Sequence, residues 1–151
     1  MSLDEVYREV IMDHCQNPRH HGHLAEPTLR AGLHNPSCGD ELQLDLRVAA
    51  DGTVQEAAFE GQGCSISMAA ASMFTELVRG KSLEEVRHIV AAFKHLLYRQ
   101  ESDRSVLGEL EALEGVGQFP ARVKCATLVM SAFEKALRQI DEKGGEGSAK
   151  A

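Results

Sequence analysis

Residues 42–61 read LQLDLRVAADGTVQEAAFEG, and the predicted fold follows from the pattern of this segment. Apolar and polar side chains alternate from Leu42 to Val48, and this period of two is typical of a strand with one buried face. Asp51 and Gly52 follow, a dipeptide that favours a tight hairpin turn. Residues 54–61 are therefore predicted to return as the antiparallel partner of the first strand.

The chain outside this hairpin is mostly helical in its apolar periodicity. A shorter strand at 29–34 is predicted to precede the hairpin, and Ser82 with Glu85 forms a capping box that opens a helix. Because strands come first and helices later, we predict an α+β fold, a small three-stranded antiparallel sheet with helices packed on one face. The predicted helices span about residues 3–15, 64–80, 82–97, 105–113 and 120–140.

The length of 151 residues predicts a single domain. Residues 1–140 carry the apolar patterns and are predicted to form that domain. Residues 141–151 are rich in Gly, Glu and Lys, so we expect them to form a disordered tail.

The composition restricts the class of partner and the compartment. The net charge of −7 argues against nucleic acid and against an anionic membrane, because both bind basic patches. No run reaches the roughly 18 apolar residues of a membrane helix, and the acidic N-terminal residues are unlike a signal peptide. We therefore expect a cytoplasmic protein whose four cysteines do not form a disulfide framework.

Three of the four cysteines lie where one element ends and another begins. Cys38 precedes a strand, Cys64 begins a helix and Cys125 lies in the first turns of the last helix. Helix N-termini and cationic neighbours such as Arg122 lower the pKa of a thiol, which favours thiolates at the two helix starts. Three thiolates and Asp40 make a four-ligand set of a kind that zinc accepts. The spacing of the three cysteines matches no zinc-finger pattern. The residues alone leave open the alternative that the three free thiols are part of the hydrophobic core.

Four short motifs, in this order, resemble the U-type iron–sulfur cluster assembly proteins, the family of the IscU and NifU scaffolds and the SufU proteins. The resemblance covers about residues 3–140 and implies a SufE/NifU-like fold. The motifs are Asp13-His14-x-x-Asn17-Pro18-Arg19, Asn35-Pro36-x-Cys38-Gly39-Asp40, Gly61-x-Gly63-Cys64-Ser65-Ile66-Ser67 and Phe119-Pro120-Ala121-Arg122-x-Lys124-Cys125-Ala126.

Two features place the resemblance in the SufU branch of this family. Lys124 stands where IscU-type scaffolds carry a histidine, and residues 107–116 are similar to an insertion of the SufU proteins. The SufU branch binds zinc and takes persulfide sulfur from a cysteine desulfurase of the SufS type. Cys15 stands where the family usually has tyrosine, and we expect it to be a packed or half-exposed helix residue.

The resemblance also implies a role for each candidate residue. Cys38 is the expected sulfur acceptor, and zinc is expected to be held by Cys38, Asp40, Cys64 and Cys125. Arg122 is expected to support the sulfur site as a hydrogen-bond donor. The implied activity is of the sulfurtransferase type, with a cysteine desulfurase and downstream Suf assembly proteins as partners.

Two other hypotheses use the same residues. The first is a scaffold on which iron is assembled into a [2Fe–2S] cluster, since such clusters also favour thiolate ligands. The second is a structural zinc module that binds a partner. Lys124 in place of histidine weighs against the scaffold, and the exposed junctions and the acidic ligand Asp40 weigh against the structural module.

Overall fold

The computed structural model describes residues 3–35 and 39–150, with the side chains described as far as residue 140. Pro36, Ser37 and Cys38 lie outside the described residues. The elements follow in the order α1 (Leu3–Gln16), β1 (Leu29–Asn35), β2 (Asp40–Val48), β3 (Val54–Gln62), α2 (Ser65–Val78), α3 (Leu83–Leu97), two 3-10 helices (Arg104–Val106 and Gly108–Gln118), α4 (Pro120–Ala126) and α5 (Leu128–Lys150).

The three strands form one antiparallel sheet in the order β1-β2-β3. Leu44 of β2 is paired with Ala31 on one side and with Phe59 on the other. This register aligns the apolar positions of all three strands on one face, as the alternation in the sequence requires. The predicted α+β class with a three-stranded antiparallel sheet is confirmed.

The helices cover the apolar face of the sheet and bury it. Leu44 and Leu46 are fully buried, as are Phe59 on β3 and Phe74 on α2. Phe74 also meets Phe133 of α5 edge to face, with ring centroids 5.8 Å apart. Burial of such large side chains is the main source of stability in a domain of this size.

The other face of the sheet is polar, but one of its carboxylates is buried. Asp45 on β2 is 1% exposed, and its two oxygens accept hydrogen bonds from Arg30 of β1 at 2.8 and 3.0 Å. The backbone N–H of Leu24 donates a further bond to it at 3.0 Å. These contacts fasten the loop after α1 to the outer face of the sheet.

The C-terminal half differs from the sequence prediction in two places. The short helix predicted at 105–113 is a pair of 3-10 helices that extends to Gln118. The predicted last helix is interrupted at Thr127, whose backbone angles, φ −94° and ψ 2°, depart from helical values and divide α4 from α5. The backbone of residues 141–150 continues α5, and the predicted disorder of the tail stays a prediction. No helix in the described part of the chain combines the length and apolar content needed to cross a bilayer.

Candidate metal centre

Asp40 and Cys64 come together where the hairpin begins and ends. Asp40 is the first residue of β2 and is only 2% exposed. Cys64 follows β3 and is the N-cap residue of α2, in an extended backbone conformation. The turn before Asp40 has Gly39 at a φ of +74°, a left-handed conformation that glycine adopts without strain.

The contact between these two residues joins the sheet to α2. The backbone N–H of Cys64 donates to one carboxylate oxygen of Asp40 at 3.1 Å, and the Cys64 sulfur lies 3.7 Å from the other oxygen. Ser67, one turn into α2, lies with its hydroxyl 3.7 Å from the same sulfur and donates to the Cys64 carbonyl at 3.0 Å. The carboxylate is thus oriented by the backbone of the residue whose thiol it faces.

The third member of the cluster comes from α4. Cys125 is 1% exposed, and its sulfur lies with the Cys64 sulfur and an Asp40 carboxylate oxygen within 4.8 Å of one another. Arg122 precedes it by three residues, which places the two side chains on one face of the helix. The pKa of the Arg122 guanidinium is raised. The main cause is the negative charge of the Cys64 thiolate, followed by a hydrogen bond to that sulfur and by the charge of Cys125.

Hydrogen bonds favour the thiolate form of Cys64. Partial burial of the sulfur acts to raise the pKa of this thiol. Hydrogen bonds to the sulfur outweigh this effect, so that the pKa of Cys64 lies below its ordinary value. They come from the N–H and hydroxyl of Ser67, the Cys125 thiol and the N–H of Ile66. A thiolate at a helix N-terminus is the form that binds metal or attacks sulfur.

Gly63 leaves the space that this cluster needs. A Cβ atom at this position would lie 2.5 Å from the Ser67 hydroxyl and 3.0 Å from the Asp40 carboxylate. Any side chain at position 63 would therefore displace one of the groups that surround the Cys64 sulfur.

The donor set fits a zinc ion better than a hard cation. Two sulfurs and one carboxylate oxygen are ligands that zinc binds in tetrahedral sites, whereas magnesium and calcium require oxygen donors. The structure thus brings together three of the four predicted ligands, Asp40, Cys64 and Cys125, with Arg122 beside them. Cys38, the predicted fourth ligand and sulfur acceptor, lies outside the described residues two positions before Asp40.

The fourth cysteine lies near this cluster but outside it. Cys15, in the last turn of α1, is half-buried and its thiol donates to the carbonyl of Ser65 at 3.1 Å. Burial, and then the charge of Cys64, raise the pKa of Cys15. Cys15 is packed against the start of α2, as its position in a helix predicts.

Ser67 is a site residue that the sequence reasoning missed. The sequence could have indicated it, because Ser67 is the third residue after Cys64, the predicted start of a helix. The side chain of an N-cap residue contacts the third residue of its helix.

Comparison with known proteins identifies the relatives of this chain. A model of the NifU-like N-terminal domain matches residues 6–126. The chain is 46% identical over 145 residues to the zinc-dependent sulfurtransferase SufU of Bacillus subtilis, covering 95% of this chain and 96% of that protein. It is 39% identical over 138 residues to the iron–sulfur cluster assembly scaffold protein IscU of Streptococcus pyogenes, covering 91% of this chain and 86% of that one.

A solved structure shows the same fold. The crystal structure of a nitrogen-fixing NifU-like protein (N-terminal) from Brucella abortus superposes with a TM-score of 0.83, at 28% identity, over 94% of this chain and 99% of that one. The family resemblance inferred from the four sequence motifs is confirmed. The chain belongs to the family of NifU-like N-terminal domains.

Proposed function

We propose that this chain is an iron–sulfur cluster assembly protein that accepts persulfide sulfur from a cysteine desulfurase at a zinc-dependent thiol site. The observation that carries the proposal is the cluster of Asp40, Cys64 and Cys125, whose ligand atoms lie within 4.8 Å of one another beside Arg122. The 46% identical B. subtilis relative, a zinc-dependent sulfurtransferase, supports the same function.

Zinc would be held by Asp40, Cys64, Cys125 and Cys38, and when bound it stabilises thiolates without taking part in redox chemistry. In the sequence, Cys38 is separated from the carboxylate ligand Asp40 by Gly39 alone. The turn at Gly39 connects the two residues.

The proposed reaction is a thiol–persulfide exchange at Cys38. The Cys38 thiolate attacks the terminal sulfur of the desulfurase persulfide, a new S–S bond forms on Cys38, and the S–S bond on the desulfurase breaks. The desulfurase cysteine leaves as a thiolate, so no external oxidant or reductant is consumed. Arg122 offers an exposed guanidinium next to the two cluster sulfurs, where it attracts the anionic persulfide.

The proposed partners are a cysteine desulfurase of the SufS type and downstream Suf assembly proteins that receive the sulfur. The proposed compartment is the cytoplasm, because a reactive thiol cluster requires the reducing conditions that prevent disulfide formation.

A second function, assembly of a [2Fe–2S] cluster on the same ligands, is favoured by the 39% identity to an IscU scaffold protein. Thiolates are ligands of such clusters and also of zinc. The two functions differ in an optical property of the purified protein. Zinc-bound protein has no visible absorption band, whereas a protein that carries the cluster is coloured.

Mass spectrometry after incubation with a cysteine desulfurase and free cysteine tests the proposal. We expect one added sulfur atom on Cys38 in the parent protein and none on this peptide in Cys38→Ser. Cys64→Ser and Cys125→Ser should lose zinc, because each removes one thiolate of the cluster. Cys15→Ser is the matched control, a thiol outside the cluster, and should acquire sulfur on Cys38 as the parent does. Sulfur that remains after Cys38→Ser would contradict the assignment of the acceptor.

A further inference from the structure

His14 is a buried histidine that the proposed reaction does not use. It lies in the last turn of α1, it is fully buried, and both of its ring nitrogens have partners. Nδ1 lies 2.7 Å from the hydroxyl of Ser72 on α2. Nε2 lies 3.1 Å from a carboxylate oxygen of Glu109, in the long 3-10 helix (Gly108–Gln118).

The partners of His14 match one neutral tautomer of its ring. An ionised carboxylate only accepts hydrogen bonds, so Nε2 must donate to Glu109. The Ser72 oxygen already accepts from the backbone N–H of Arg19 at 2.8 Å, and its own proton is free to be donated to Nδ1. The neutral Nε2–H form of His14 therefore completes an ordered chain from Arg19 through Ser72 and the imidazole to Glu109.

This chain of hydrogen bonds ties together segments that lead to the cluster cysteines. The last turn of α1 contacts α2 at Ser72 through His14 and at Ser65 through Cys15, two positions seven residues apart on one face of α2. Ser65 is the residue next to Cys64. Glu109 lies in the 3-10 helix that runs directly into α4, which carries Cys125.

We infer that His14, as the neutral Nε2–H tautomer, is a positioning residue for the metal centre. It fixes α2 and the 3-10 helix on opposite sides of one ring and so sets the relative position of Cys64 and Cys125. The inference rests on the proposed function in one respect, because it requires these two thiols to bind one metal ion.

The experiment compares His14→Gln with His14→Leu in the full chain, with Co²⁺ as the probe. Glutamine offers a carbonyl oxygen to the Ser72 hydroxyl and an N–H to Glu109, in the same order as the inferred tautomer, whereas leucine offers neither. Cobalt bound by thiolates gives visible bands whose position and intensity depend on the coordination geometry. His88→Leu is the matched control, since His88 also pairs with a carboxylate, Asp103, but is exposed on α3.

We expect His14→Leu to weaken Co²⁺ binding about tenfold and to shift the visible bands, at a temperature where circular dichroism shows a folded protein. His14→Gln should restore the bands and the affinity of the parent, and His88→Leu should leave both unchanged. If His14→Leu does not fold, Ser72→Ala gives the same comparison with a smaller change, because it removes the proton donor to Nδ1. The tautomer is measured separately by long-range ¹H–¹⁵N correlation of the imidazole, which should show a proton on Nε2 alone.

Three results contradict the inference in distinguishable ways. Parent-like bands and affinity in folded His14→Leu, or in Ser72→Ala where that variant replaces it, would show that His14 does not position the thiols, with the proposed function intact. Absence of thiolate–cobalt bands from the parent protein would overturn the proposed metal centre and this inference with it. A doubly protonated or Nδ1–H imidazole would contradict the inferred order of hydrogen bonds.

Discussion

Replacement of Gly63 by alanine tests whether the packing around the Cys64 sulfur is as tight as the structure shows. The added Cβ atom would lie 2.5 Å from the Ser67 hydroxyl and 3.0 Å from the Asp40 carboxylate. Ordinary contact begins at 3.4 Å, so the hydroxyl must move by about 0.9 Å and the carboxylate by about 0.4 Å. Movement of the hydroxyl breaks its 3.0 Å bond to the Cys64 carbonyl.

The expected cost is about 1–3 kcal/mol, the range for inserting a methyl group into a well-packed site together with one lost hydrogen bond. For a domain of this size that corresponds to a melting temperature lower by about 3–10 °C. Zinc occupancy should fall as well, because the displaced carboxylate is one of the proposed ligands. Circular dichroism melting curves and metal analysis of the purified variant measure the two effects.

Gly115→Ala is the matched control, because nothing lies within 4 Å of the Cβ atom that it adds. It should leave stability unchanged or raise it by about 0.4–1 kcal/mol, since alanine restricts the unfolded chain. In a Ser67→Ala background the penalty of Gly63→Ala should shrink, because the nearest atom is gone. If Gly63→Ala matches Gly115→Ala in melting temperature and zinc content, the described packing of the cluster is wrong.

Three further predictions concern the metal and the sheet. Removal of zinc by a strong chelator should lower the melting temperature, since the site joins β2 to α2 and α4, and an unchanged curve would show that the metal is not structural. Asp40→Ala should keep zinc on the remaining thiolates with lower affinity and altered sulfur transfer, whereas parent-like metal content and transfer would exclude Asp40 as a ligand. Asp45→Asn should cost about 1–3 kcal/mol in denaturant unfolding at neutral pH. Burial acts to raise the pKa of Asp45, but hydrogen bonds from Arg30, the N–H of Leu24 and the side chain of Gln43 outweigh it and hold this pKa below its ordinary value of 3.8. The contribution of Asp45 to the free energy of unfolding is therefore present above pH 3.8 and is lost as the pH falls through the lower folded pKa. A stability loss at neutral pH that is retained in strong acid would contradict this assignment.

The sheet and its helical cover were predictable from the sequence because they depend on local periodicity. Alternation from Leu42 to Val48 determines which face of β2 is buried, and the Asp51-Gly52 turn sets the hairpin. The interruption at Thr127 was not predictable in this way. The helical period of the sequence continues through that residue, and the break is seen only in the backbone angles of Thr127.

Parts of the site depend on contacts that no local pattern encodes. The position of Cys64 at the start of α2 was predictable from the sequence. Cys125 was expected in the first turns of the last helix, but it lies in the last turn of α4, because that helix ends at Ala126. The burial of His14 between Ser72 and Glu109 joins residues 58 and 95 positions away along the chain. Tertiary packing decides such pairs, so the motif that contains His14 indicated a family but not this role.

In the proposed site one zinc ion is held by three thiolates and one carboxylate. X-ray absorption spectroscopy at the zinc edge of the loaded full chain measures the ligand set directly. We expect three sulfur neighbours at about 2.3 Å and one oxygen at about 2.0–2.2 Å, with one sulfur lost in Cys38→Ser. Two or fewer sulfur neighbours in the parent, or a parent-like spectrum of Cys38→Ser, would contradict it.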